Sequence, residues 1–162
     1  MKKVFDFRYV MLLLIIICGA YFLVSNNFFR NSVRGNSIER VVIDEAVFRV
    51  ETVSDEQKLQ KGLGKRKWMC SNCGMIFRFQ ESKKHAFWMK DMRFPLDIIW
   101  ISDGKIVWIE KNVSHENQQK IYNPFVDTDS VLELRSGSCD EHEIEVGDYV
   151  RAESANWWRD LR

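Results

Sequence analysis

The chain has no surplus of charge of either sign. Its 24 Lys and Arg stand against 23 Asp and Glu, a formal net charge of +1. With both signs interspersed, there is no electrostatic case for a nucleic-acid partner. Internal repeats, low-complexity tracts, a phosphate-cradling loop and a Ser-His-Asp elbow motif are all lacking as well. Those absences remove repeat architectures, nucleotide-binding loops and triad hydrolases from the readings the residues support. One further absence is local: between Tyr9 and Phe29 there is no charged residue at all.

That uncharged run follows Lys2, Lys3 and Arg8, and residues 10–24 are almost wholly apolar. As a helix rising about 1.5 Å per residue, residues 9–29 reach roughly 30 Å, the thickness of a bilayer's hydrocarbon. The basic N-terminal flank predicts a cytoplasmic N-terminus and an exported remainder. Cys18-Gly19-Ala20 offers small residues for cleavage, yet the apolar run continues through Tyr21–Val24 and into Phe28-Phe29. An uncleaved signal-anchor over residues 1–29 is therefore expected, with the protein held in the cell membrane by a single pass. Ile17 before Cys18, where a small residue is needed, argues against a lipoprotein. Residues 30–40 are polar and aperiodic and read as a flexible tether.

The remainder, residues 41–153, suffices for one modest core. Val47–Val53 is β-branched and reads as a strand, and Ser54 with Gln57 reads as a capping box opening a helix that Gly62 stops. The basic run Lys58, Lys61, Lys65, Arg66 and Lys67 fits a solvated helix end. Met75–Phe79, Phe87–Lys90, Val131–Leu134 and Tyr149–Ala152 are further strands, and Ser138–Glu141 is a short capped turn. The firmest local signal is Asp103-Gly104 between Leu96–Ser102 and Lys105–Ile109, a two-residue hairpin loop. A strict two-residue loop pairs Trp100 with Val107 and places Asp97 opposite Glu110, a like-charge pair that something must relieve. Many short strands and one early helix predict a mainly β fold, a small β-sandwich or barrel-like domain with one or two short helices behind an N-terminal transmembrane helix. Residues 154–162 form a tail whose Trp157-Trp158 pair is expected to dock on the core or a partner.

Several landmarks occur in a telling order: Gly62-Leu63 with Arg66, Gly74-Met75-Ile76-Phe77 with Phe79, and Phe87-Trp88-Met89-Lys90. Pro95-Leu96-Asp97-Ile98-Ile99, Val131-Leu132-Glu133-Leu134 with Gly137, and Gly147-Asp148 complete them. Over roughly residues 48–152 the chain thereby resembles the family known as domain of unknown function 192. The resemblance implies a small β-rich domain, often exported or anchored, from bacteria or archaea, and it implies no reaction. The chain departs from that pattern at Gly64, where methionine is usual, and at Asp91-Met92, where Asn-Thr is usual. It also carries Cys70-Ser71-Asn72-Cys73 in place of a short acidic or Pro-containing turn.

Arg66, Trp88, Lys90, Asp97 and Glu133 are the candidate ligand-binding residues, because charged groups beside apolar strands are usually paired or functional. They fit either a structural ion network or a concave site with Trp88 as a wall and Lys90 or Arg66 meeting a polar or anionic ligand. Two carboxylates, Asp97 with Glu110 or with Glu133, would serve a hydrolase if their separation suited it. Cys70 and Cys73 admit three states: a disulfide, a redox pair, or half of a zinc site completed by Cys139 and His142. His85 and His115 read as surface histidines; Met69, Met75, Met89 and Met92 could suggest soft-metal binding, but Met75 and Met89 belong to the apolar pattern of the family and read as core. The expected function is a non-catalytic ligand-binding or accessory module of the cell envelope. Its partner would be an unknown envelope ligand or protein, with no cofactor expected and zinc the one candidate. A thiol-disulfide or hydrolytic enzyme and a zinc-stapled module are the alternatives.

Overall fold

A computed structural model describes residues 36–153. The expected anchor over 1–29, most of the tether and the Trp157-Trp158 tail lie outside the described residues. Among the described residues no helix is long and apolar enough to cross a membrane. In chain order the elements are β1 (Ser37–Ile43), β2 (Ala46–Val53), α1 (Glu56–Lys61), β3 (Cys73–Lys83), β4 (Phe87–Trp88) and β5 (Leu96–Ser102). They continue with β6 (Lys105–Val113), β7 (Ile121–Tyr122), β8 (Thr128–Arg135), α2 (Ser138–Glu141) and β9 (Val150–Glu153).

Seven strands form one sheet in the order β6-β5-β8-β3-β2-β1-β9, and β4 pairs with β7 in a separate two-stranded ribbon. Only β2 and β3 run parallel, joined by the crossover that carries α1. The sheet curls until its two edges meet at one end. There Ile106 N–H donates to the Asp148 carbonyl and Gly147 N–H to the Ile106 carbonyl, both at 2.9 Å. A Lys105–Tyr149 bridge adds to this closure. The mainly β expectation thus stands, as a curled half-barrel with two short helices among the described residues rather than two stacked sheets. Alternation explains the difference. Ile76, Ile99, Ile101, Leu132 and Leu134 point to one face and join Phe48, Cys139 and Ile144. Met75, Phe77, Ile98, Trp100 and Val131 point to the other and join Leu63, Met89, Met92 and Tyr122. The curl wraps the first face around itself, while α1, the β4–β7 ribbon and the loops cover the second. A second full sheet is not needed to bury two apolar faces.

Local details depart from the sequence reading in three places. The tether gives way to strand at Ser37, since residues 37–40 pair with β2. Asp55, not Ser54, caps α1: its carboxylate accepts the Lys58 N–H at 3.0 Å, and Gly62 at φ 48° ends the helix. In the hairpin, Asp103 and Gly104 both take positive φ, at 50° and 72°, as a two-residue turn of this kind requires. Beyond Ile101–Ile106, however, a bulge at Val107 brings Trp108 opposite Trp100 and Glu110 opposite Ile98. The extra residue sets Trp108 against Phe125, ring centroids 4.9 Å apart. The slip also dissolves the expected clash between Asp97 and Glu110.

Candidate functional site

Residues of α1, β3, β4 and β8 meet around a cavity of about 320 Å³ on the second face of the sheet. Leu59, Phe77, Phe79, Phe87 and Met92 supply apolar wall. Trp88, 50% exposed, stands at the mouth with Lys90, whose Nζ lies 5.0 Å from the indole centroid. Lys61 at the end of α1 completes that side. At the buried end lies Glu133, 5% exposed, with one carboxyl oxygen, Oε2, lacking any hydrogen-bond partner. Such a group is costly unless it is neutral or awaits a partner.

Register explains why Glu133 faces the cavity. Glu51 of β2 pairs with Met75, Met75 pairs with Glu133, and Glu133 pairs with Ile98, so the four form one row on one face. Arg66, from the loop after α1, lies over this row and bonds both carboxylate oxygens of Glu51, the second at 2.8 Å. Asn36 donates to the same carboxylate at 2.9 Å. Because Glu51 already occupies the guanidinium, Glu133 receives only a partial share of its field. Burial pushes the Glu133 carboxyl up to about 8, with the Arg66 charge pulling the other way. Near neutral pH Glu133 is therefore a protonated acid, able to donate as well as accept.

Of the five residues proposed for ligand binding, Trp88, Lys90 and Glu133 line the cavity, and Arg66 sits behind it in its pair with Glu51. Asp97 does not belong there. It neighbours Ile98 in the strand and so faces the opposite side, where it is fully buried and accepts backbone N–H groups from Asn112 and Cys139, each at 2.8 Å. The hydrolytic pairs Asp97–Glu110 and Asp97–Glu133 are not formed for the same reason. His85, read as a surface histidine, is 9% exposed and lines the cavity. It stacks on Phe79 with centroids 3.5 Å apart and bonds the Glu81 carbonyl through Nε2. Glu51 was missed as the partner of Arg66. The signal that would have found it is the one that marked Glu133, a carboxylate inside an apolar strand.

Cys70 and Cys73 are joined by a disulfide. Their zinc role with Cys139 and His142 is not supported by the geometry. Among the described residues no group of three or more His, Cys, Asp or Glu could hold a metal ion. Cys139 is fully buried, its thiol pushed up by burial and by the nearby Asp97 charge, which disfavours the thiolate a metal requires. His142 packs edge to face with Phe48, ring centroids 5.3 Å apart. Since Cys73 opens a strand rather than a helix, no helix N-terminus lowers a thiol pKa here, and the disulfide reads as a staple. Closing so short a loop stabilises by about 2 kcal/mol in the chain-entropy model. A Cys70→Ser/Cys73→Ser variant is expected to lose that amount in urea unfolding and to leave the cavity unchanged. A loss near zero, with altered disulfide exchange toward a model dithiol, would instead favour a redox role.

The model of the family described as Uncharacterized ACR, the domain of unknown function 192, matches residues 39–152. The chain belongs to this family. A crystal structure from Sinorhizobium meliloti 1021, of a protein described as a "putative transcription regulator", is similar at a TM-score of 0.68 and 30% identity. That match covers 72% of this chain and 95% of the other. A protein of unknown function from Novosphingobium aromaticivorans DSM 12444 is similar at a TM-score of 0.70 and 29% identity, over 74% of this chain and 88% of that one. No curated relative matches.

Proposed function

We propose that the protein is a membrane-anchored, extracytoplasmic binding module of the cell envelope that holds a small ligand without catalysis in the cavity beneath Trp88. The observation that carries this reading is the unpartnered oxygen of Glu133 at the buried end of an aromatic-walled cavity. A polar atom kept buried without a partner costs about 1–3 kcal/mol, a cost that ligand binding would recover. The uncharged run at residues 9–29 supports the anchor, and a disulfide between Cys70 and Cys73 suits an oxidising compartment. Among the described residues the helices have six and four residues, too short to lie in a major groove as a recognition helix, so nothing described supports the regulator role named for the Sinorhizobium relative.

Indole, a neutral aromatic probe, tests the cavity. Titrated into ¹⁵N-labelled protein, it is expected to shift the Trp88 indole N–H signal and to lose that effect in Ala86→Trp, which plugs the mouth from an exposed position. Because Trp88 is half exposed, Trp88→Ala should abolish binding with a stability change within about 1 kcal/mol. Indole binding that persists in the plugged variant would place the site elsewhere.

A further inference from the structure

Resting on the cavity reading above, we infer that the site selects a small monoanion with a flat apolar body and a neutral hydrogen-bonding group at its far end, as in a hydroxyaryl carboxylate. Three features along the cavity correspond to three parts of such a molecule. At the mouth, Lys61 and Lys90 have no carboxylate partner among the described residues, and Lys90 is held against the Trp88 indole. A second recess of about 670 Å³ shares Gln60, Lys61, Gly64, Trp88 and Lys90 with the cavity, so the two ammonium groups border both spaces. Two carboxylates lie nearby, Glu56 on the cavity lining and Asp91 on the recess, and neither is paired with these lysines. Asp91 faces Lys65 at 3.9 Å, and Glu56 lies at the other end of α1 from Lys61, about 7 Å along the helix axis. Between mouth and inner end the wall is aromatic: Phe77, Phe79 and Phe87, with Phe77 and Phe87 edge to face at 4.9 Å. Aromatic walls favour a flat ring over a flexible chain. At the inner end the Oε2 of Glu133 is the one lining polar atom that is buried and unsatisfied among the described residues. An all-apolar ligand would leave it so, whereas a hydroxyl would pair with it. A volume of about 320 Å³ holds roughly ten groups of water size, the scale of one substituted ring with a short side arm.

A matched series separates the parts. Equilibrium dialysis of the full chain in lipid nanodiscs, with empty nanodiscs as the blank, would use 3-(4-hydroxyphenyl)propionate, tyramine and 3-phenylpropionate at pH 7. The hydroxyphenyl acid should bind roughly tenfold tighter than tyramine, which carries an ammonium in place of the carboxylate. It should also bind at least about tenfold tighter than the acid lacking the hydroxyl, because the Glu133 oxygen then stays unpaired. Lys61→Gln/Lys90→Gln, both exposed positions, should erase the first preference and spare the second. Glu133→Leu should erase the second, while Glu133→Gln, which keeps a hydrogen-bonding group there, should retain it. Tyramine binding as tightly as the acid would overturn the anion preference and leave the cavity intact. Equal binding of the two acids would overturn the far-end contact. If none of the three binds, or if Ala86→Trp leaves their binding unchanged, the cavity reading fails and this inference with it.

Discussion

Glu133→Gln is expected to make the domain more stable at alkaline pH, by an amount that grows from acid to base. The native carboxyl titrates near 8, against an ordinary value of 4.5, because burial disfavours its charged form. The sign follows from proton counting. Between about 4.5 and 8 the folded state holds a proton that the unfolded state has released, so stability falls as pH rises through that window. Below it both states are protonated and no penalty exists. Above it both are ionised and the full cost of burying the charge is present, on the order of 3–5 kcal/mol for a shift of this size. Glutamine has no such titration. The charged and titratable groups around the cavity are Glu51, Glu56, Lys61, Arg66, His85 and Lys90, and none of them is altered by the substitution. Urea unfolding of a fragment from residue 36 onward at pH 5, 7 and 9 reads the effect directly. The wild type should lose stability across the series relative to the variant, with the curves converging at pH 5. Parallel curves would mean that Glu133 is ionised and solvated in the folded protein, and the neutral acid at the cavity's inner end would be lost. Arg66→Ala should steepen the wild-type fall, since it removes the one charge that favours the Glu133 carboxylate.

Such a residue was visible in the sequence because a carboxylate inside Val131-Leu132-Glu133-Leu134 breaks an apolar strand. Trp88 and Lys90 were visible for a like reason, and this pair at the end of β4 meets Glu133 of β8 across the cavity. What the sequence could not assign is which side of the sheet a charge faces. Asp97 and Glu133 look alike as letters, yet Ile98 pairs with Glu133, and that single register puts Asp97 on the opposite face. The bulge at Val107 was hidden for the same reason: alternation with period two cannot reveal where one strand carries an extra residue. Ser37–Arg40 was hidden by its polar letters, since an outer strand with one solvated face need not look apolar. The pairing of Arg66 with Glu51 depends on the crossover that carries α1, and no local pattern announces it. The turn chemistry at Asp103-Gly104 and the stop at Gly62 were legible because backbone conformation there is a property of the residues themselves.

Asp97→Ala is expected to destabilise the domain by about 3–5 kcal/mol while leaving the cavity's ligand binding intact in whatever fraction remains folded. The fully buried carboxylate is the clasp on the far side of the sheet. One oxygen accepts the N–H of Asn112, a residue at φ 55° in the irregular end of β6, and the other accepts the N–H of Cys139 in the first turn of α2. A four-residue helix has no room for internal partners for its first N–H groups, so the Cys139 amide depends on this acceptor. Each bond to a charged acceptor contributes about 1.5–3 kcal/mol, and the truncation orphans both donors at once. Around the clasp, Lys111 and Asn112 also reach Asp140, at 2.8 and 3.4 Å, but those contacts are exposed and compensate little. Asp97→Asn keeps one acceptor and turns an amide N–H₂ toward the other donor, so its cost should be smaller yet still above 1 kcal/mol. Amide hydrogen exchange distinguishes this clasp from a general loss of packing: Asn112 and Cys139 should lose protection in the Asn variant while Ile98 and Trp100, on the cavity face, keep theirs. Uniform loss across both faces would mean that the sheet opens as one unit and that Asp97 has no local role. If instead the Asn variant bound the cavity ligand more weakly at full foldedness, the two faces would be coupled. Asp97 would then count as a positioning residue for the site.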